Sequence, residues 1–209
     1  MLSGPDFNAM INEMGQTVAW RRAYDCPCRD THSGAAKQNC PSCHGSGITW
    51  GTAVNGIVGV SGQKVQQQWA KLGMYETGDQ VLTLPSDSPV YWAGNFDRMT
   101  MSDSSVPFSR TLEHEAIDKL SIGINLIDRV FWLDGAGLPV EGGIPSVATD
   151  GTLTWASGEP PAGTQYSITG RRRPEYFVFQ DFPQDRSHFG GAALPRRVVV
   201  RLMDLFARS

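Results

Sequence analysis

The chain has no cysteine outside one segment of eighteen residues, and it has no apolar run long enough to span a membrane as a helix. It also lacks the G-x-x-x-x-G-K-[ST] phosphate loop, the G-x-G-x-x-G motif and the H-E-x-x-H motif of metalloproteases. The stretch Gly59-Val60-Ser61-Gly62 has the wrong spacing for the nucleophile elbow of a hydrolase. We therefore expect a protein that is not an enzyme and that has no membrane partner.

Charge is also scarce, because charged residues make up 19% of the 209 residues and the formal net charge is -3. A net negative charge gives no overall attraction to nucleic acid. The N-terminal stretch MLSGPDFNAMINEMG has neither the basic start nor the apolar core of a signal peptide. We expect a protein made and kept in a reducing cytoplasm, where clustered cysteines hold a metal more often than they form disulfides.

The fold class is predicted to be mainly β, because 23 glycines and 13 prolines punctuate short apolar segments. An N-terminal helix is predicted where Phe7, Met10, Ile11 and Met14 recur at helical spacing. A short second helix is predicted at 112–120. Strands are predicted at about 53–60, 63–70, 80–84, 90–93, 98–101, 175–180 and 197–203.

The domain prediction is a small β-barrel or sandwich body with a second β-domain that is inserted or appended. Asp150-Gly151 and the alternating Thr152–Trp155 indicate a hairpin in that second domain. The predicted divisions are an N-terminal helix and strand at 1–24, a zinc-binding loop at 25–50, a barrel body at 51–110 with 175–209, and the inserted β-domain at 111–174. The polar stretch 181–194 is long for a loop in a compact domain.

The cysteine segment predicts a structural metal site formed by Cys26, Cys28, Cys40 and Cys43. Two close pairs of thiolates separated by a short loop suit one tetrahedral Zn²⁺, and four protein ligands leave no open position for catalysis. On an extended strand, residues i and i+2 point the same way, so the first pair can share one ion. Gly45 and Gly47 would let the backbone turn and aim N–H groups at sulfur. A disulfide, unligated thiols, or His32 or His44 in place of one cysteine remain as alternatives.

Outside this segment, the candidate functional residues are few. Arg171-Arg172-Arg173 and Arg196-Arg197 are basic runs that suit phosphate or protein contacts, or simply a solvated surface. His114 and His188 lie in polar surroundings without a nearby nucleophile, so both are expected at the surface. Trp92, Trp132 and Trp155 are expected in the core.

The segment CPSCHGSG resembles the C-P-x-C-x-G-x-G repeat of DnaJ-type zinc domains. That family pairs two repeats on each metal, whereas this chain has one full copy and the shortened pair Cys26-Pro27-Cys28. The J-domain His-Pro-Asp motif is absent. The resemblance therefore supports a metal site and does not indicate a chaperone.

The order of segments resembles the neck, or head-to-tail connector, proteins of tailed bacteriophages. The resemblance is carried by GQTVAWRRAYDCPC, by the cysteine turn, by DGTLTWASGEPPAGTQYSITGRRRPEYFVF and by the ending PRRVVVRLMDLF. It implies a virion structural protein, made in the host cytoplasm, that forms a ring of identical subunits. Each subunit would contact portal or adaptor proteins on one side and tail proteins on the other, with a passing contact to viral DNA. Adaptor, stopper, collar and gateway positions all remain open.

The alternative is a nucleic-acid-binding zinc-ribbon protein. It is favoured by the cysteine cluster together with the arginine runs. It is disfavoured by the net charge of -3 and by the cysteine loop itself, which contains only Arg29 and Lys37 as basic residues.

Overall fold

The computed structural model describes residues 4–116, 118–120, 123–182 and 188–206; for Gly4, Gln63, Phe189 and Leu205 it describes the backbone alone. The chain divides into two compact units. The first, here called the barrel unit, comprises Met1–Asp103 and Glu175–Ser209, and the second, here called the inserted unit, comprises Ser104–Pro174. The inserted unit thus interrupts the barrel unit in sequence, and it begins at Ser104 rather than at the predicted residue 111.

The prediction of a mainly β fold is confirmed. The helices are α1 (Gly4–Met14) and α2 (Gln63–Ala70), with 3-10 turns at Pro89–Trp92 and Met203–Leu205. The strands are β1 (Gln16–Arg21), β2 (Ala23–Asp25), β3 (Ile48–Trp50), β4 (Val54–Val60), β5 (Gln80–Leu84), β6 (Arg98–Met101), β7 (Val106–Glu113), β8 (Ile124–Leu133), β9 (Pro139–Glu141), β10 (Ser146–Val147), β11 (Leu153–Thr154), β12 (Gln165–Arg172), β13 (Glu175–Asp181), β14 (His188–Phe189), β15 (Ala192–Ala193) and β16 (Arg196–Leu202).

The barrel unit is built on a closed antiparallel barrel in the order β1-β4-β5-β16-β13-β6. Alternate residues of each strand point inward, so that Leu82, Val198 and Val200 join a buried core inside the barrel. Their neighbours Val81 and Val199 point outward and are covered by Trp69 of α2. The barrel is therefore packed on both faces along β5 and β16.

Helix α1 lies against β4, and Gly15, which follows the helix, has no room for a side chain. Ile11 is buried, and its side chain lies 3.6 Å from where a Cβ of Gly59 would be. A Cβ at Gly15 would meet the Ile11 carbonyl oxygen at 2.5 Å and the Val58 carbonyl oxygen at 2.7 Å. The predicted N-terminal helix thus forms, and it packs on the barrel through Ile11, whereas Met10 and Met14 are exposed.

Several local predictions are wrong. Residues 63–70 form α2 rather than a strand, because Val65 and Trp69 are four residues apart and pack on one side of a helix. Residues 89–92 form a 3-10 turn rather than a strand, and Trp92 there is 73% exposed rather than in the core. The predicted helix at 112–120 is absent from the described residues, since β7 continues to Glu113 and Glu115 has a positive φ of 66°.

The inserted unit has its own sheet and core. Its sheet has the order β7-β12-β8-β9, and β10 pairs with β11 as a separate hairpin. The buried residues of its core are Leu120, Ile127, Val130, Leu153, Tyr166 and Ile168, with Trp132 and Trp155 half-buried against them. A 71-residue unit with its own core is a separate packing unit within the chain.

Candidate metal centre

The cysteine segment connects the two strands of a short hairpin that follows β1. Strands β2 and β3 pair antiparallel, with Ala23 opposite Trp50 and Asp25 opposite Ile48. Beyond this ladder, the amide of Cys26 donates a 2.8 Å hydrogen bond to the carbonyl oxygen of Gly47. The two ends of the loop are therefore held side by side where the cysteines begin.

The base of this hairpin is fixed to the barrel by a buried carboxylate. Asp97 is 2% exposed and accepts hydrogen bonds from the indole Nε1 of Trp20 at 2.7 Å, the amide of Ala23 at 2.7 Å and the amide of Gly94 at 2.8 Å. On the other strand, Trp50 Nε1 donates a 3.0 Å hydrogen bond to the Phe96 carbonyl oxygen. Both strands of the hairpin are thus fastened to the segment that precedes β6.

The first cysteine pair lies in a turn and not on an extended strand. Strand β2 ends at Asp25, and the amide of Arg29 donates a 3.0 Å hydrogen bond to the Cys26 carbonyl oxygen. The expectation that both thiols share one side of a strand is therefore wrong. The turn brings the two thiols to one centre by curvature of the backbone instead.

The second pair lies in a tight turn that the glycines make possible. The amide of His44 donates to the Cys40 carbonyl oxygen at 2.8 Å, and the amide of Ser46 donates to the Cys43 carbonyl oxygen at 3.0 Å. Gly45 and Gly47 have φ values of 86° and 72°, which side chains other than glycine rarely adopt. The amides of both glycines lower the pKa of the Cys43 thiol.

The four sulfur atoms converge on one point. All four Sγ atoms lie within 4.8 Å of one another, with Cys26 and Cys40 separated by 3.7 Å and Cys28 and Cys43 by 3.5 Å. A tetrahedral ion with Zn–S bonds of about 2.3 Å places its ligands about 3.8 Å apart. The sulfurs are free thiols, so the cluster has the dimensions of a metal site and contains no disulfide.

Two of the thiols have a lowered pKa. The amides of Cys43 and Ser42 donate to the Cys40 sulfur and lower its pKa to about 6. Burial raises the pKa of Cys43, but hydrogen bonds from the Cys28 thiol and the Gly47 amide outweigh it and bring the net pKa below its ordinary value. Backbone N–H groups aimed at sulfur stabilise thiolates and orient them as ligands.

The other two thiols have a raised pKa. The amide of Lys37 lowers the pKa of Cys28, but burial and the thiols of Cys43, Cys26 and Cys40 raise it to about 12. For Cys26, the amide of Cys28 likewise lowers the pKa, whereas burial and contacts with Cys40 and Cys43 raise it overall. Each short sulfur pair therefore joins a thiol whose pKa is lowered to one whose pKa is raised, and a divalent cation would compensate the charge of all four thiolates.

The histidines do not join the cluster. His32 and His44 are exposed, and the group of converging ligands among the described residues consists of the cysteines alone. A set of four sulfur donors is typical of a closed structural site for a soft or borderline metal. The structure thus shows a possible four-cysteine metal site, and the assignment of zinc remains a prediction.

The other candidates from the sequence are dispersed. Arg171 donates to the Ser105 hydroxyl and carbonyl oxygens, while Arg196 pairs with Asp181 and donates to two carbonyl oxygens of the barrel unit. His188 is exposed, as expected. His114 is not, because it is 7% exposed and its Nδ1 lies 2.7 Å from Asp118 Oδ2. His114 therefore lies in the interior of the inserted unit, where its ring contacts Trp155 and Tyr166.

Sequence reasoning missed the buried carboxylates that organise the barrel unit. Asp97 fastens the hairpin, and Asp79 binds Arg201 through two 2.9 Å contacts while accepting a 3.1 Å hydrogen bond from Trp69 Nε1. Both aspartates lie in glycine-containing turns that look solvated in the sequence. Asp97 is 77 residues from Trp20, and Asp79 is 122 residues from Arg201, so no local sequence pattern could reveal these contacts.

Comparison with known proteins gives no family: no protein-family model and no curated protein matches the chain. Within the described residues, no helix combines the length and the apolar character needed to cross a membrane. The function must therefore be inferred from the residues of this chain.

Proposed function

We propose that the protein is a structural component of a tailed-bacteriophage neck, in which a ring of subunits joins the portal side to the tail. The observation that carries the proposal is a cysteine loop whose base is bonded to a closed barrel and whose far part converges on one metal-sized centre. Such a loop has little apolar core of its own, and a bound ion would supply the rigidity that it lacks. A rigid loop on a rigid barrel suits a structural protein that packs between other proteins.

We further propose that the ion is Zn²⁺ and that its role is structural. Cys26, Cys28, Cys40 and Cys43 would all be ligands, which leaves no coordination position for water or substrate. The role assigned to the metal is to hold the loop 25–50 in one shape. The resemblance of CPSCHGSG to a known zinc-binding repeat and the sulfur separations of 3.5 and 3.7 Å both support zinc.

The division into two units also supports a connecting role. Each unit has its own core, and the inserted unit adds a second β block to the barrel. A protein with two separately packed blocks can present different surfaces to different neighbours. In a ring, such contacts are heterologous, with one face of a subunit meeting a different face of the next.

Imaging tests the neck assignment. Antibody labelling of whole particles, or imaging of particles that carry a tagged copy of this chain, is expected to place the protein at the single vertex where the tail attaches. A matched particle with a tagged head protein should be labelled over the whole shell. Absence of the chain from purified particles, or its presence over the whole head, would overturn the proposal.

The zinc-ribbon alternative gains little from the positions of the arginines. Arg171 and Arg196 both donate to groups of their own chain, so their guanidinium groups are partly engaged. A filter-binding assay with a salt titration separates the two functions. Tight binding to DNA that weakens steeply with salt would favour the alternative, because each phosphate contact releases counterions.

A further inference from the structure

An open apolar groove runs between α1, the end of β4 and the start of α2 in the barrel unit. Its cavity volume is about 260 Å³, close to the lower end of known ligand pockets. The two outermost methionines are exposed, Met10 by 37% and Met14 by 76%. Methionine adapts its shape to a partner at low cost. The apolar lining consists of Phe7, Met10, Ile11, Met14, Val60 and Val65.

One charged group lines this groove without a partner. Arg197 is half-buried, and no hydrogen bond or ion pair joins its guanidinium to another residue in the part of the chain that the structure describes. The nearby hydroxyls of Ser61 and Thr83 lie 3.2 Å apart and bond to each other. A half-buried guanidinium on an apolar wall suits an incoming carboxylate, which it can bind through two parallel hydrogen bonds.

The same chain presents a surface of matching chemistry at the tip of the β8–β9 hairpin, residues 133–138, here called the tip. Leu133 is 58% exposed and Leu138 is 62% exposed, although both are large apolar residues. Asp134 lies between them and is exposed. Its Oδ1 accepts hydrogen bonds from the amides of Ala136 and Leu138 at 2.9 and 2.8 Å, and these two bonds fix the turn.

The carboxylate of Asp134 is available for a further contact. Among the described residues it has no ion pair, and its hydrogen bonds within the turn use Oδ1. The tip is therefore a fixed turn in which Leu133 and Leu138 flank the carboxylate of Asp134. The groove offers adaptable apolar walls beside an unpartnered guanidinium, so the two surfaces are complementary in both polarity and charge.

We propose that the tip of one copy of this chain seats in the groove of a second copy, with Leu133 and Leu138 against the methionines and Asp134 against Arg197. The contact joins two different surfaces, so it is heterologous and builds a ring when the rotation closes. The inference rests on the proposed function in one respect, since a ring supplies the second copy. It specifies the surfaces through which neighbouring subunits meet.

The test is self-association of the full-length, zinc-loaded chain, measured by sedimentation velocity over a range of concentrations. The wild-type chain is expected to associate. The double change Leu133→Ser and Leu138→Ser is expected to raise the dissociation constant by at least about tenfold, because apolar contacts at the centre of an interface dominate affinity. Leu126→Ser is the matched control, since Leu126 is 54% exposed on β8 but lies outside the tip.

The groove is tested independently by filling it. Gly62 lines the groove, a Cβ there would meet nothing within 4 Å, and its φ of -67° is open to any side chain. Gly62→Phe is therefore expected to block the groove and to weaken association without unfolding the barrel. Gly94→Phe is the control, because a Cβ at Gly94 also enters open space but lies outside the groove.

The charge pair is tested by a double-mutant cycle with Asp134→Asn and Arg197→Met. Asparagine keeps an oxygen acceptor for the turn and removes the charge. Each single change is expected to weaken association about tenfold, and the double change is expected to weaken it no further than either one alone. If the dissociation constant of the double variant rises by the product of the two single increases, the two residues do not interact and the pairing is overturned.

The inference fails if the wild-type chain stays monomeric at every concentration, or if the tip and groove variants associate as the wild type does. These failures differ from failure of the proposed function. If the protein lies at the tail vertex but these substitutions do not change its self-association, the neck role stands and the tip-in-groove contact is wrong. A chain that associates through the tip but is absent from particles retains the contact and loses the neck role.

Discussion

Trp20 donates a 2.7 Å hydrogen bond from its indole Nε1 to Oδ2 of Asp97, across 77 residues of sequence and inside the barrel unit. Trp20 belongs to the core of the barrel, whereas the other oxygen of Asp97 accepts the amide of Ala23, where the cysteine hairpin begins. One carboxylate therefore links the barrel core to the base of the cysteine loop. Since Asp97 is 2% exposed, water cannot replace these bonds.

Replacing Asp97 by alanine is expected to lower the free energy of unfolding by about 3 kcal/mol, because three donors lose a charged acceptor in a buried place. The measurement is urea unfolding of the zinc-loaded chain. Asp87→Ala is the control, since Asp87 accepts a single long hydrogen bond of 3.4 Å from Asn12. Equal stability of the two variants would contradict the role assigned to Asp97.

Much of the barrel could be predicted from sequence because its strands follow local rules. Strands β4, β5 and β6 lie where short apolar segments end at turn residues, and α1 follows the helical spacing of its apolar residues. The cysteine cluster was also predictable, because its four thiols are close in sequence and have the paired spacing typical of metal sites. These features are determined by neighbours along the chain.

The features that could not be predicted depend on distant partners. His114 is flanked by Glu113 and Glu115 and looks solvated, but it is buried against Asp118, which Tyr166 holds from 48 residues away. In α2, the largely polar stretch Gln63–Gln68 precedes Trp69, which is buried against the outer face of the barrel together with Val65. Burial of this kind is decided by tertiary packing, which overrides local composition.

Replacing Cys40 and Cys43 by serine is expected to abolish zinc binding and to release the loop from about Tyr24 to Trp50. Elemental analysis should find one zinc for each wild-type chain and none for the variant. Hydrogen exchange should speed up throughout the loop, whereas amides of β5 and β16 stay protected, because the barrel has its own core.

Ser42→Ala is the control for this pair of changes, since Ser42 lies between the two cysteines and is exposed. It should bind one zinc for each chain and exchange like the wild type. Unchanged metal content and unchanged exchange in the double cysteine variant would show that the cluster does not hold the loop together.

The inserted unit is expected to lose stability in acid because of Asp118. Burial raises the pKa of this carboxyl, but the Glu115 amide, the Tyr166 hydroxyl and His114 outweigh burial and lower the pKa overall. A carboxyl with a lowered folded-state pKa stabilises the fold above its unfolded pKa of about 4, and this contribution is lost as the pH falls through the folded value. The midpoint temperature of thermal unfolding of the unit should therefore fall below about pH 4.

Tyr166→Phe tests this assignment, because it removes the 2.7 Å hydrogen bond from the hydroxyl to Asp118 and little else. The variant is expected to lose about 1 kcal/mol at neutral pH. It is then expected to lose less further stability in acid than the wild type, because the folded-state pKa of Asp118 lies closer to its unfolded value. Tyr75→Phe is the control, since Tyr75 is 45% exposed. Identical acid profiles of Tyr166→Phe and the wild type would contradict the role of the hydroxyl.

Arg201 and Asp79 form a buried ion pair that is expected to be costly to break from one side. Arg201 also donates a 2.6 Å hydrogen bond to the Met74 carbonyl oxygen, and the Asp79 side chain is fully buried. Among the described residues, Arg201→Met leaves the Trp69 indole and the Glu76 amide as the donors to that buried carboxylate, so a loss of about 3 to 5 kcal/mol is expected in urea unfolding. Arg21→Met on the exposed end of β1 is the control, with an expected change below about 0.5 kcal/mol. A loss for Arg201→Met no larger than that of the control would show that the Asp79 carboxylate does not depend on its cation.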